Sequence, residues 1–239
     1  MNPVVEELRV QVYADGADLS RTEGLAHDPL IKGFTTNPTL MRRAGIDDYL
    51  TFAKELTSQV ATKPISFEVV ADDVVEMERQ AHLLDALAEN VYVKIPATDT
   101  AGSSMAPLMA RLAQGGVSVN ATALMTHDQV AEVADALGGG PPAVVSVFAG
   151  RVADAGVDPV PHMVAARELL APHPNLQLLW ASPREIFNVL QADLAGCHII
   201  TLTPDLLQKL QHFGRDLHQF SVATVCEFRA DAVAAGYDF

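Results

Sequence analysis

The sequence has little cysteine, few basic residues and no long apolar run. Cys197 and Cys226 are the only two cysteines among 239 residues. They lack the spacing of metal ligands, so reduced thiols in a cytosolic protein are expected. Lys and Arg total 16 against 30 Asp and Glu, which gives a net charge of −14 and a pI of about 4.8. This charge argues against binding to nucleic acid or to anionic membranes.

Signals for export or membrane insertion are also lacking. Acidic Glu6 and Glu7 stand where a signal peptide needs a basic start and then an apolar stretch. No stretch reaches the roughly 20 uninterrupted apolar residues of a membrane-spanning helix. A cytoplasmic protein is therefore expected. An anionic substrate would need local arginines, because the overall charge of the protein repels it.

Hydrophobic residues make up 49% of the chain, enough for a large core. Eight short apolar runs predict strands at 10–14, 31–35, 65–69, 91–95, 117–121, 143–148, 176–181 and 198–201. Segments of helical period lie at 17–26, 49–60, 73–89, 102–114, 126–137, 161–170, 183–190 and 204–212, and an amphipathic segment follows at 215–235. Strands alternating with helices indicate right-handed βαβ units and a parallel sheet.

Eight such units without a linker predict one domain over residues 1–239, a (β/α)8 barrel with an extra C-terminal helix at about 215–235. A doubly wound open sheet is the alternative, but no G-x-G-x-x-G follows the first strand, so a dinucleotide site has no support. The glycine–proline run at 138–142 predicts a turn on the N-terminal side of the barrel. The C-terminal helix could cover its own barrel or a neighbour's mouth, so a homo-oligomer is one of the alternatives.

In such a barrel, chemistry belongs at the C-terminal ends of the strands. The polar residues at these ends are Asp15, Thr35, Asn37, Glu68, Lys94, Asn120, Thr122, Ser146, Arg151, Ser182 and Arg184. Taken singly, each has a structural explanation. Asp15 before Gly16 suits a turn, for example, and Lys94 could extend to solvent from its strand end. Together they predict one reactive mouth around a single lysine.

This set of residues has a chemical logic. The amine of Lys94, flanked by apolar residues, can attack a ketone to form an imine, and the imine withdraws electrons while an adjacent C–C bond breaks. Asp15 and Glu68 lie on different predicted strands and can divide the proton transfers. Arg151 and Arg184 can bind an anionic group at the far end of an extended sugar.

The ordered segments resemble those of the transaldolase family, including its small fructose-6-phosphate-aldolase-like members. The matching segments are VYAD at 12–15, TTNPTL at 35–40, FEV at 67–69, VKIPAT at 93–98, VNAT at 119–122, SVFAGRV at 146–152, ASPR at 181–184 and AGC at 195–197. The resemblance implies a class I aldolase-type (β/α)8 barrel whose Schiff-base lysine lies on the fourth strand. It implies neither a metal nor another cofactor.

The same resemblance implies a role for each matching position. Lys94 would form the imine, and Asp15 would be the acid/base for the hydroxyl released in cleavage. Glu68 would act through a water molecule held by Thr122. The expected substrate-binding residues are Thr35, Asn37, Asn120, Ser146 and Phe148, with Ser182, Arg151 and Arg184 as the phosphate-binding group.

Two positions indicate the type of reaction. Direct aldolases of this family tend to carry glutamine at the position of Glu68 and tyrosine at that of Phe148, whereas glutamate with phenylalanine is typical of transaldolases. Phenylalanine cannot protonate the enamine, which should therefore persist until an acceptor aldehyde arrives. The favoured function is a pentose-phosphate-pathway transaldolase that moves a dihydroxyacetone unit from fructose 6-phosphate or sedoheptulose 7-phosphate to an aldose phosphate. The alternatives are another anionic ketose, such as a sulfonated sugar, a direct fructose-6-phosphate aldolase, and a catalytically silent barrel.

Overall fold

The computed structural model describes residues 7–237. Eight parallel strands close into a barrel in sequence order. They are β1 (Gln11–Asp15), β2 (Ile31–Thr35), β3 (Ile65–Glu68), β4 (Val91–Pro96), β5 (Val119–Leu124), β6 (Ala143–Val147), β7 (Leu176–Trp180) and β8 (Ile199–Leu202). The predicted (β/α)8 barrel is confirmed, and Lys94 lies on its fourth strand.

Helices connect the strands around the outside of the barrel. They are α1 (Leu19–His27), α2 (Pro38–Arg43), α3 (Tyr49–Gln59), α4 (Val74–Asp85), α5 (Ala106–Gln114), α6 (His127–Leu137), α7 (Ala149–Asp154), α8 (Pro159–Leu170), α9 (Asn188–Leu194), α10 (Pro204–Lys209) and α11 (Leu217–Ala234). The glycine–proline run at 138–142 joins α6 to β6, so it is the predicted turn on the N-terminal side.

Two details of the predicted elements are wrong. The short helices α2 and α7 were not predicted. The helix predicted at 183–190 begins only at Asn188, because Oδ1 of Asn188 accepts hydrogen bonds from the backbone amides of Arg184 and Glu185 at 2.7 and 3.1 Å. These amides are held in a side-chain turn instead of a helix, which leaves the segment after β7 irregular.

Alternation along each strand separates two cores. Val12 and Ala14 of β1 belong to the large core between the barrel and its helices, whereas Tyr13 belongs to a small core that also contains Val144 and Ile199. Side chains on one face of a strand recur every two residues. The residues two positions after these small-core residues therefore point inward as well, and they lie at the mouth, the open C-terminal end of the barrel. The polar strand ends therefore converge above an apolar plug inside the barrel.

The extra C-terminal helix, α11, differs from the helices that pack against the barrel. No residue of α11 is buried, and Leu217, Val225 and Phe228 are all exposed. The helix therefore does not bury its apolar side chains against its own barrel, which was one of the two predicted alternatives. Among residues 7–237, no helix combines the length and apolar character needed to cross a membrane.

Candidate active site

A cavity of about 480 Å³ lies at the C-terminal ends of the strands. The predicted site residues that line it are Asp15, Thr35, Asn37, Glu68, Lys94, Thr122, Ser146, Phe148, Arg151, Ser182 and Arg184. Asn120 is the one member of the predicted set that does not line it. The structure thus brings together side chains that are as much as 169 residues apart in sequence (15 to 184).

Lys94 lies in the wall of this cavity and is only 6% exposed. Its Nζ is 3.0 Å from Oε2 of Glu68 and donates a hydrogen bond of 2.8 Å to the carbonyl oxygen of Thr36. The two ion-pair partners stand side by side because Glu68 and Lys94 are registered neighbours on β3 and β4. A carboxylate at this distance can accept a proton from the amine, which a nucleophilic lysine requires.

Asp15 ends β1 in the same cavity. Its Oδ1 accepts a 2.8 Å hydrogen bond from the hydroxyl of Thr35, and its Oδ2 accepts a longer one of 3.4 Å from the amide of Asn37. Burial raises the pKa of the Asp15 carboxyl, although the charge of Lys94 and the hydrogen bond from Thr35 oppose that rise. A carboxyl with a raised pKa is suited to exchanging protons with a substrate hydroxyl.

Asn120 lies behind the cavity wall, with 1% exposure. Its Nδ2 donates to the hydroxyl of Ser66 at 2.9 Å, and its Oδ1 accepts from the hydroxyl of Ser146 at 2.7 Å. This chain of hydrogen bonds ties β3, β5 and β6 together and fixes the Ser146 hydroxyl at the cavity surface. In this structure Asn120 acts on the mouth through Ser146.

Within the described part of the chain, the side-chain oxygen of Thr122 is a buried polar atom of the mouth without a protein partner. Its Oγ1 is buried and makes no hydrogen bond to any described residue, although the side chain lines the cavity. Buried hydroxyls are normally hydrogen-bonded, so an unpaired one at a cavity wall needs a partner from outside the protein. A water molecule or a substrate hydroxyl fits that requirement.

The segments after β6 and β7 meet because Gly150 has no side chain. A methyl group at this position would lie 1.6 Å from the carbonyl oxygen of Ser182. Ser182 itself has a φ of 58°, and Ala123 in the same cavity wall has a φ of 61°. Left-handed backbone at residues other than glycine costs about 1–2 kcal/mol and is found mainly at functional sites. The close contact brings Arg151 and Ser182 to one edge of the mouth.

The arginines at that edge are exposed. Arg184 forms an ion pair with Asp154, in which Nε donates to Oδ1 and Nη2 donates to Oδ2 of the carboxylate. The guanidinium of Arg151 lies 5.9 Å from the centre of the Phe148 ring, a cation–π distance. Both arginines line the cavity, so an anionic group at this edge would meet two cations.

Sequence reasoning missed four residues that shape the mouth. Arg43, Thr201 and Thr203 line the cavity, and Gly150 permits the contact just described. Thr201 and Thr203 follow the rule that strand ends face the site. Arg43 lies on the unpredicted helix α2 and gave no signal. Among residues 7–237, no group of three or more His, Cys, Asp or Glu is arranged to hold a metal ion.

Comparisons with known proteins find similar sequences and a similar fold. A family model described as transaldolase/fructose-6-phosphate aldolase matches residues 12–237. A protein of Erythrobacter litoralis named "Probable transaldolase" is 32% identical over 206 residues, which cover 84% of this chain and 88% of the relative. A protein of Dehalococcoides mccartyi with the same name is 28% identical over 226 residues, covering 93% and 97%. The solved structure of KGPDC from Streptococcus mutans, at 12% identity, has a TM-score of 0.54 over 82% of this chain and 88% of that one, a likeness of fold alone.

Proposed function

This chain belongs to the transaldolase/fructose-6-phosphate aldolase family, and on that premise we propose that it is a transaldolase acting through an imine on Lys94. The observation that carries the proposal is the buried amine of Lys94, 3.0 Å from Glu68, in one cavity with Asp15. A surface lysine would have no reason to be held in this way. The proposed reaction moves a dihydroxyacetone unit from a ketose phosphate to an aldose phosphate.

The first half of the reaction forms the imine. Glu68 takes a proton from the ammonium of Lys94, and the free amine attacks the C2 carbonyl of the ketose. The carbinolamine then loses its oxygen as water, with the proton returned by Glu68. The unpaired hydroxyl of Thr122 is suited to hold a water molecule for this proton transfer.

The second half breaks and remakes a C–C bond. Asp15 takes the proton of the C4 hydroxyl, the C3–C4 bond breaks, and its electron pair moves into the protonated imine to give an enamine. The aldehyde product leaves, and the enamine carbon attacks the carbonyl of the acceptor aldose. Asp15 returns its proton to the new hydroxyl, and hydrolysis of the imine frees Lys94.

The remaining predicted residues would bind the substrate. Asn37 and Ser146 face the cavity and can hold the hydroxyls of the dihydroxyacetone part, while Ser182, Arg151 and Arg184 can bind the phosphate. A sulfonate would suit the same arginines.

We place the reaction in the pentose phosphate pathway in the cytoplasm. We also expect a homo-oligomer, because a second subunit would bury the exposed apolar residues of α11.

Borohydride trapping tests the proposal directly. Incubation with fructose 6-phosphate and borohydride, followed by peptide mass spectrometry, should find a reduced three-carbon unit on Lys94. The variant Lys94→Met should form no adduct, whereas Lys32→Met, which removes an exposed lysine of β2, should be trapped like the unmodified chain. Absence of an adduct from folded protein with phosphorylated, sulfonated and neutral ketoses would refute the imine mechanism.

The second candidate is an aldolase that releases free dihydroxyacetone. This reaction is an alternative because the matching family also includes fructose-6-phosphate aldolases. Phe148 lines the cavity and has no hydroxyl to protonate the enamine, which favours transfer. We predict that Phe148→Tyr increases dihydroxyacetone release about tenfold when no acceptor is added. Product analysis with and without erythrose 4-phosphate measures the ratio, and rapid release by the unmodified protein would support the aldolase.

A further inference from the structure

A chain of two hydroxyl groups extends from Asp15 to the far side of β1. Oγ1 of Thr35 donates to Oδ1 of Asp15 at 2.8 Å and lies 2.6 Å from Oγ1 of Thr201. Thr35 is 4% exposed and Thr201 is 6% exposed. Thr201 lies on β8 and lines the cavity. Neither the family resemblance nor the reaction described above uses it.

The barrel topology explains how these groups meet. β1 pairs with β2 on one side and with β8 on the other, with Thr35 opposite Asp15 and Thr201 opposite Tyr13. The two threonines therefore approach each other across β1. The ring of Tyr13 packs against Gly33 of β2, where a methyl group would lie 2.5 Å from the ring.

The direction of donation follows from the charge of Asp15. An ionised carboxylate only accepts hydrogen bonds, so Thr35 must donate to it, and Thr201 must then donate to Thr35. A protonated Asp15 can donate to Thr35, whose own proton then turns toward Thr201. Both protonation states are satisfied by rotation of two hydroxyl groups, with no movement of a heavy atom.

We propose that Thr201 is a positioning residue, which with Thr35 forms a reversible hydroxyl relay that holds Asp15 in one orientation whether or not it carries the substrate's proton. This inference rests on the proposed function, in which Asp15 takes a proton during cleavage and returns it during transfer. The alternative is a purely structural role, in which the two buried threonine hydroxyls serve only as hydrogen-bond partners for each other. The contact with Asp15 argues against it, because the other side-chain donor to this carboxyl, Asn37, is 3.4 Å away.

The substitution Thr201→Val keeps the shape of the side chain and removes its hydroxyl. Hydrogen bonds to a charged acceptor are about twice as strong as neutral ones. Loss of the relay should therefore destabilise the ionised form of Asp15 more than the protonated form, which raises the pKa of this carboxyl. The acidic limb of the pH profile of kcat/KM should move upward by about 0.3 pH units. Thr201→Ser retains the hydroxyl and should restore the original profile.

A measurement independent of turnover separates this inference from the proposed function. The carboxyl-carbon NMR signal of Asp15, assigned by its loss in Asp15→Asn, reports the titration of this group directly. We expect its midpoint to rise in Thr201→Val and to return in Thr201→Ser. An unchanged midpoint in folded Thr201→Val would overturn the relay, even if the protein proves to be a transaldolase. A shifted midpoint in a chain without imine chemistry would support the relay while the proposed function fails.

Discussion

The two sides of the mouth are built in different ways. The buried side is formed by Asp15, Thr35, Glu68, Lys94 and Asn120. There Thr35 donates to Asp15, Lys94 is ion-paired to Glu68, and Asn120 is hydrogen-bonded to Ser66 and Ser146. On the exposed side, formed by Arg151, Ser182 and Arg184, the arginines are open to solvent. There the ion pair between Arg184 and Asp154 has side chains that are 46% and 56% exposed.

Under the proposed function, this difference corresponds to a division of work. Proton transfer and imine formation need groups fixed within a fraction of an ångström in a site with little water. Recognition of an anionic tail tolerates mobile side chains, and an exposed ion pair contributes only about 0–1 kcal/mol to stability. Substitutions on the buried side should therefore change stability and turnover together, whereas those on the exposed side should change KM.

Asn120→Ala should have the largest effect. It leaves the buried hydroxyls of Ser66 and Ser146 without the partner that joins them. We expect the free energy of unfolding to fall by about 2–4 kcal/mol and turnover to fall about 100-fold, because Ser146 loses its fixed orientation. Urea unfolding and steady-state kinetics measure the two effects.

The control for this change is Asn175→Ala. Asn175 likewise joins separate segments: it donates to the backbone carbonyl oxygens of Leu137 and Pro141 and accepts from the amide of Gly139. It lies before β7, at the opposite end of the barrel. The Asn175→Ala variant should be less stable than the unmodified protein but should keep its turnover number. Equal losses of turnover in the two variants would show that the buried side has no special link to catalysis.

Gly150→Ala should come next. Its new methyl group would lie 1.6 Å from the carbonyl oxygen of Ser182, so the segments after β6 and β7 must separate. We expect KM for fructose 6-phosphate to rise about 30-fold, with borohydride trapping of neutral dihydroxyacetone on Lys94 nearly unchanged. Gly24→Ala is the matched control, because this glycine of α1 has open space around it and alanine there should stabilise the protein slightly. A normal KM in Gly150→Ala would contradict the proposed anion site.

Arg184→Ala should have a smaller effect on the same parameter. Loss of one charged donor should raise KM for a phosphorylated ketose about tenfold and leave KM for a neutral ketose unchanged. Asp154→Asn removes the carboxylate that competes for Arg184 and should lower KM for the phosphorylated ketose about twofold. Parallel changes for phosphorylated and neutral ketoses would remove Arg184 from the anion site.

The buried side was largely predictable from the sequence, and the reason is the regularity of strands. Apolar alternation located β3 and β4 well enough to place Glu68 and Lys94 at neighbouring strand ends, and parallel strands in a barrel bring such ends together. Depth was not predictable. Asn120 and Thr122 are alternate residues of one strand, yet Thr122 reaches the cavity and Asn120 lies behind Ser146.

The exposed side was predicted by its residue types but not by its geometry. The helical pattern at 183–190 does not indicate that Asn188 accepts hydrogen bonds from two preceding backbone amides. Because of these bonds, the helix begins only at Asn188. The role of Gly150 depends on the carbonyl of Ser182, which is distant in sequence, so only the assembled barrel reveals it. Arg43 was missed for a similar reason, since α2 is too short for a periodic signal.

Arg43→Gln should have the smallest effect and tests where the exposed side ends. Arg43 lines the cavity from α2, across the barrel from Arg151. Its charge should attract an anionic substrate to an otherwise acidic protein, so KM for fructose 6-phosphate should rise about two- to threefold at low salt and not at high salt. Arg42→Gln removes the adjacent exposed arginine that does not line the cavity and should change KM less. An equal effect from both substitutions would mean that net charge alone attracts the substrate, and the exposed side would then end at the segments after β6 and β7.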